Sequence, residues 1–282
     1  MNIYWLGTSA AHDPGRVGGK AANLSRLAAK YPVPPGFCLE ARLDDGGSLL
    51  EYAGGRVMQA YHGLGRRCGC RRPSVAVRSS AVDEDGRQAS FAGQHESYLN
   101  VVGSKPVARA VQRCVDSAHT ERAQAYRNMH GLSSNATVAV LIQQFILADV
   151  SAVVFSADPV SGRRTEIVIN ATWGLGESLV GGTVTPDLYR VQKATLDLVD
   201  QQLADKTYMT IACPEGTREV PVPRAMQTEP TLNLEQVKDL ARLALALEKY
   251  MGWPVDLECA FQQGRLYLLQ CRPITTLSEA IG

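Results

Sequence analysis

An α+β protein of two closely packed lobes is what the sequence predicts, on three observations. Helical spacing of apolar residues governs 107–118 and 233–251, a period of two takes over from Thr137, and the chain closes on a β-hairpin over 254–273. The first lobe is expected over 1–132 and the second, sheet-rich lobe over 133–282.

In chain order, Gly18–Tyr31 reads as a short helix entered from a glycine pair, with Ala21, Leu24, Leu27 and Ala28 at helical spacing and Pro32, Pro34 and Pro35 stopping it. A strand follows over Gly36–Glu40. Residues 41–73 are poorly patterned, with a possible helix from Leu49 to Leu64 and then the run Arg66-Arg67-Cys68-Gly69-Cys70-Arg71-Arg72, read as a solvated loop. Ser74–Arg78 and Ser97–Val102 are strands flanking a polar loop, 79–93. Val107, Ala110, Val111, Cys114, Val115 and Ala118 then form one apolar stripe on a long charged helix ending near Gly131. Strands are expected near 137–145, 150–156, 165–172 and 187–200. Asn233 opens the second long helix as its N-cap, Gln236 stands three residues later as a capping box requires, and Gly252 with Pro254 end it.

Composition excludes several classes of partner. Of 282 residues, 29 are Lys or Arg and 28 are Asp or Glu, so the net charge of +1 offers no footprint for nucleic acid or an anionic membrane. The N-terminal stretch has no cationic start followed by an apolar core, which argues against a secretory signal. The most apolar tract, Thr137–Phe155, is interrupted by Gln143, Gln144, Asp149 and Ser151, too often for a membrane span. Seven cysteines without CxxC spacing indicate neither a disulfide framework nor a zinc site. A cytoplasmic protein with reduced thiols is the expectation.

The closing hairpin carries the clearest chemistry. If Gln262, Gln263 and Gly264 form a three-residue loop, Asp256 faces Gln270 and Glu258 faces Leu268, and these polar groups share one face with Arg272 because side chains alternate along strands. Leu257, Cys259, Phe261, Tyr267, Leu269 and Cys271 would take the other, buried face. Asp256, Glu258 and Gln270 offer hard oxygens suited to Mg²⁺, and Arg272 offers a planar fork to a phosphate or carboxylate. The same pattern also fits a surface hairpin with a cross-strand salt bridge.

Three further segments could bind anions. Arg78 ends a strand at the mouth of a small-residue loop running through Asp83, Asp85 and Gly93. Gly18-Gly19-Lys20 opens a helix as a phosphate cradle does, but lacks the spacing of a Walker P-loop. Trp173–Asp187 is a glycine-rich turn with Glu177 inside it, which also fits a purely structural turn.

Taken in order, these segments resemble the N-terminal ATP-binding domain of the phosphoenolpyruvate synthase, pyruvate phosphate dikinase and rifampin phosphotransferase family, an ATP-grasp group. The marks are GGKAANL with PVPPGF, VAVRSSAVDED with ASFAGQ, IQQF with FSADPVSG, GLGESLVGG with TPD, and PVDLECAF with LLQCRPI, from Gly18 to Thr275. The resemblance implies a two-lobed ATP-grasp-like fold and ATP and Mg²⁺ as cofactors. It implies that Lys20 and Arg78 contact phosphates, that the loop bearing Gly93 and Ser97 covers them, and that Gln143 lines the adenine end. Glu258 and Gln270 match the family's Mg²⁺ ligands, Asp256 and Arg272 its remaining catalytic-face residues, and Glu177 its glycine turn. Residues 41–73 look shortened against the family's first lobe, and Ser97 stands where the family often has Thr.

Family enzymes pass the phosphoryl group from ATP, which leaves as AMP, to a histidine on a swivelling domain. None of the five histidines here, His12, His62, His95, His119 and His130, has a suitable context. The implied function is therefore an ATP-dependent phosphotransferase component that works with a separate histidine-bearing subunit. The alternatives are a free-standing ATP-grasp kinase or ligase acting on a small molecule, and a nucleotide-binding module without turnover.

Overall fold

The computed structural model describes residues 2–41, 49–81, 97–117, 138–214 and 216–277. The contacts divide the chain into two units, 1–145 with 213–216, and 146–212 with 217–282. Helices and antiparallel sheets occur in both, as an α+β reading requires. No helix among the described residues is long and apolar enough to cross a membrane.

The first unit is a five-stranded sheet in the order β1 (Asn2–Trp5), β2 (Gly36–Ala41), β5 (Val138–Gln144), β3 (Ser74–Ala81), β4 (Ser97–Val102), antiparallel throughout. Strand β1 is absent from the sequence expectation because four residues carry too little period to register. Alternation along the strands gives the sheet two different faces. Phe37, Leu39, Val75, Val77, Val140 and Ile142 bury against Val57, Tyr61 and Leu64 of α2 (Leu49–Arg67) and Val107, Val111 and Cys114 of α3 (Ser104–Ser117). The stripe expected on α3 is therefore core from Val107 to Val115, and its last member, Ala118, lies outside the described residues. Its continuation towards Gly131 lies outside the described residues.

Helix α1 (Pro14–Leu27) takes the opposite face and starts four residues earlier than its periodicity suggests. Asp13 caps it by accepting from the Gly15 N–H at 2.9 Å, and Pro14 fits the first helical position, where a missing N–H costs nothing. Residues 213–216 belong to this unit, where the Asn100 side-chain amide donates to the carbonyl oxygens of Cys213 (2.6 Å) and Gly216 (2.9 Å).

The second unit is a six-stranded antiparallel sheet, in the order β13 (Arg265–Pro273), β12 (Val255–Gln262), β6 (Val150–Phe155), β7 (Glu166–Trp173), β8 (Asp187–Gln192), β9 (Leu198–Gln202). The strand expected over 187–200 is thus two strands joined by a turn. Tyr208–Cys213 (β10) and Gly216–Pro221 (β11) form a separate two-stranded ribbon that the sequence pattern did not indicate. Helix α5 (Leu234–Met251) has the expected reciprocal cap, Gln236 N–H to Asn233 Oδ1 and Asn233 N–H to Gln236 Oε1, both 2.9 Å, and ends on the left-handed Gly252. It contacts β12, β6 and β7, and its Leu240, Ala241, Ala244 and Leu247 are fully buried. Registered across the sheet, Cys271, Leu257, Val154, Ile169 and Tyr189 form one continuous buried row.

Candidate functional site

The hairpin differs from the expected one in its turn, and the difference moves several side chains. Its loop has two residues, Gln263 (φ 51°) and Gly264 (φ 75°), both left-handed as a type I′ turn requires, with Gln262 paired to Arg265. The register then slips at Glu258/Cys259, where Leu269 is the extra residue of a β-bulge: Cys259 pairs with Leu268, but Glu258 pairs with Gln270 and Asp256 with Arg272. Glu258 therefore faces Gln270 and not Leu268. Beyond the bulge Leu266 and Leu268 replace Tyr267 and Leu269 on the face of Leu257, Cys259 and Phe261. The shared face of Asp256, Glu258, Gln270 and Arg272 survives because the slip restores an even register at those positions.

On that face Asp256 and Gln270 are buried, at 6% and 5% exposure, while Glu258 is half-buried. Arg272 Nε donates to Asp256 Oδ2 at 2.8 Å, which orients the guanidinium along the strand pair. The other carboxylate oxygen, Asp256 Oδ1, is buried without a hydrogen-bond partner. Burial pushes the Asp256 carboxyl above the usual carboxylate range; Arg272 pulls it down and the neighbouring Glu258 pushes it up again. An orphaned buried acceptor beside a second carboxylate is unfavourable unless a cation or donor completes it. Among the described residues no group of three or more His, Cys, Asp or Glu could hold a metal by itself. The donor set fits a hard ion that keeps part of its shell for phosphate oxygens and water, as Mg²⁺ does.

The first unit gathers its own polar set. Gly18 breaks α1 with φ 76°, so the helix restarts at Gly19 and Lys20. A Cβ on Gly18 would stand 1.9 Å from the carbonyl oxygen of Ser80, so the break is packed against β3 too closely for any side chain. The Ser80 hydroxyl donates to the Val17 carbonyl (2.8 Å) and accepts from the Ala21 N–H (3.2 Å), supplying the cap bond that glycine cannot. Lys20 is thereby held at a helix N-terminus, 9% exposed.

Arg78 shares the α1 face of the sheet with Ser80, two residues along the same strand, and Gln143 shares it through its pairing with Ala76. Ser97 pairs directly with Arg78 and is exposed. The Gln143 amide donates to the Pro34 carbonyl at 3.3 Å. Lys20, Arg78, Ser97 and Gln143 thus lie with α1 on one side of one sheet. Gly93 lies outside the described residues.

Glu177 opens the one-turn helix α4 (Glu177–Val180) in the second unit and is exposed, accepting from Thr217 Oγ1 at 2.6 Å. Its turn is tight for a structural reason. A Cβ on Gly174 would come within 2.3 Å of the Thr210 carbonyl oxygen, so only glycine lets the turn lie on β10.

Comparison with known proteins places the sequence in a family. The model of the pyruvate phosphate dikinase AMP/ATP-binding domain matches residues 52–282. The chain belongs to this family. It is 35% identical to a probable phosphoenolpyruvate synthase of Methanocaldococcus jannaschii, over 98% of this chain and 27% of that one. It is 37% identical to the prodigiosin synthesizing transferase PigC of Serratia marcescens (95% of this chain, 32% of the relative) and 41% identical to a rifampicin phosphotransferase of Streptomyces sviceus (73% and 24%). The chain therefore spans between about a quarter and a third of the length of these relatives.

Within this dikinase-type domain three polar positions have roles that the sequence alone does not signal. Ser80 reads as one of many loop serines, and its capping role depends on a contact 59 residues away in the chain. Asn170, registered with Val153 and so with Glu258, adds an amide to the polar face of the second sheet. Asp187, quoted for its TPD motif, is fully buried against the equally buried Lys206 at 2.6 Å, and also accepts from the N–H groups of Ala204 and Thr231 at 2.9 Å. No periodicity signals such a pair.

Proposed function

We propose that the chain is the ATP-grasp-like, ATP-binding part of a phosphoenolpyruvate synthase/dikinase-type phosphotransferase. It passes a phosphoryl group from Mg-ATP to a histidine on a partner. The observation that carries this reading is the polar face of β12 and β13, where Asp256 leaves a buried oxygen unpartnered beside Glu258, Gln270 and Arg272.

Glu258 and Gln270 would hold the metal, and Asp256 fixes Arg272 so that its remaining N–H groups meet phosphate oxygens. Mg²⁺, when bound, supplies neutralisation of charge on those oxygens. Lys20, at a helix N-terminus, and Arg78 contribute further positive charge to the phosphates, the loop with Gly93 and Ser97 covers them, Gln143 lines the adenine end, and Glu177 braces the glycine turn. Phosphoryl transfer needs little beyond positioning and electrostatic stabilisation, so a site without a side-chain nucleophile of its own is chemically sufficient. The rifampicin phosphotransferase relative supports a second reading, in which the final acceptor is a small molecule.

Nucleotide product analysis tests both. With Mg²⁺ and ATP, AMP forms only once a histidine-bearing partner is added; product formed with a small acceptor alone selects the second reading. Arg78→Ala and Glu258→Ala each lower turnover by roughly 10²-fold or more with unchanged thermal unfolding. Near-normal turnover in either variant overturns the assignment.

A further inference from the structure

The basic run at the end of α2 has no part in the proposed nucleotide chemistry. Over 52–82 the chain carries six arginines and no acidic residue, in a protein whose charges otherwise balance. The structure also corrects the reading of 66–72 as a plain loop. Helix α2 extends through Arg67 and ends in a Schellman motif: Gly69 is left-handed (φ 65°), its N–H bonds the Arg66 carbonyl at 3.4 Å, and the Cys70 N–H bonds the Gly65 carbonyl at 2.9 Å.

Two of the four arginines in this run have evident structural work. Arg67 stacks on the Trp5 ring at 4.2 Å, and Arg72 lies against Gly103 beside Tyr61. Arg66 and Arg71 do not. They line a cavity of about 440 Å³ together with His62, Gly65, Gly69 and Cys70. Among the described residues no carboxylate stands within ion-pair distance of either guanidinium.

The chain path makes this cavity. His62 and Arg66 are four residues apart, so they stand on one helix face, and the Schellman turn brings Arg71 back towards them. Both glycines are required. A Cβ at Gly65 would sit 2.5 Å from the Cys70 carbonyl oxygen, and Gly69 holds a left-handed φ of 65° that L side chains rarely adopt. The helix dipole accounts for cations in the last turn, Arg66 and Arg67, but not for Arg71 beyond it or for the concavity they enclose. Two arginines and a histidine lining one cavity, with no described carboxylate in ion-pair reach of either guanidinium, suit one chemistry, an oxyanion with several acceptor oxygens.

We propose that the cavity formed by His62, Arg66 and Arg71 binds a small, multiply charged oxyanion, phosphate-bearing or polycarboxylate, independently of the nucleotide site. The test follows the His62 ring proton by NMR, assigned with His62→Gln, while inorganic phosphate or citrate is titrated into the full chain at constant ionic strength. A saturable shift with at least one anion is expected, and its chemistry separates phosphate from carboxylate ligands. Arg66→Ala/Arg71→Ala should weaken that binding by about tenfold or more, Arg71→Gln should weaken it less, and Lys20→Ala should leave it unchanged. That last arm keeps the outcome separate from the ATP-binding reading. A shift that does not saturate with either anion, or one that saturates equally in the double variant, overturns the proposal.

Discussion

Asp256 is where stability and function pull apart. Its burial raises the carboxyl's pKa above the ordinary 3.8, so the charged form costs stability in the folded protein. That cost is fully present above the folded pKa, shrinks as pH falls through it, and is gone below the unfolded value. Asp256→Asn, which keeps an oxygen for Arg272, should therefore raise the thermal midpoint at neutral pH and lower phosphoryl transfer steeply. Melting curves against pH check it, and the gap between variant and wild type should close on acidification towards pH 4. The identity of this residue as a candidate was legible in the sequence, because alternation alone put it on one face with Glu258, Gln270 and Arg272. Its depth was not. Strand β12 is an inner strand with both edges paired, to β13 and β6, and residues on both of its faces are buried; a hairpin read in isolation reveals neither the second neighbour nor what covers the faces.

At the scale of elements, the long periodic segments were the legible ones. Helix α5 and the apolar stripe of α3 follow from spacing and caps, since each helix buries one face over several turns. The bulge at Leu269 was not legible, because a one-residue slip leaves composition and alternation on each side intact. Helix α1 shows the same limit. Its glycine pair pointed to a helix N-terminus, but the break at Gly18 is fixed by Ser80 from another strand. Gly18→Ala forces a side chain into the Ser80 backbone at a left-handed φ and should destabilise the first unit by about 3 kcal/mol or more, read by urea unfolding.

The loops of the second unit depend on a different device. Asp187 ties the segments at 204–206 and 231 to β8 through Lys206, two backbone N–H groups and the Thr231 hydroxyl. Lys206→Met removes one charge of a fully buried pair and leaves the other. It should cost about 3–5 kcal/mol in the same measurement, and an unchanged midpoint would show that the pair is dispensable.

At the scale of the whole molecule, the α+β class followed from the switch of period, but the strand order did not. Strand β5 inserts between β2 and β3, pairing residues about 100 positions apart in one case and 60 in the other, and periodicity carries no information on such partners. The candidate residues were located by ordered motifs, and each unit brings its own share to one side of one sheet: Lys20 of α1 with Arg78, Ser97 and Gln143 in the first, Asp256, Glu258, Gln270 and Arg272 in the second. In the proposed function the second set acts on nucleotide through a metal. Calorimetric titration of ATP with and without Mg²⁺, on the wild type and on Glu258→Gln, tests it most directly. Mg²⁺ should strengthen ATP binding to the wild type and make no difference to the variant; equal strengthening in both, or no ATP binding by the wild type, would contradict the account.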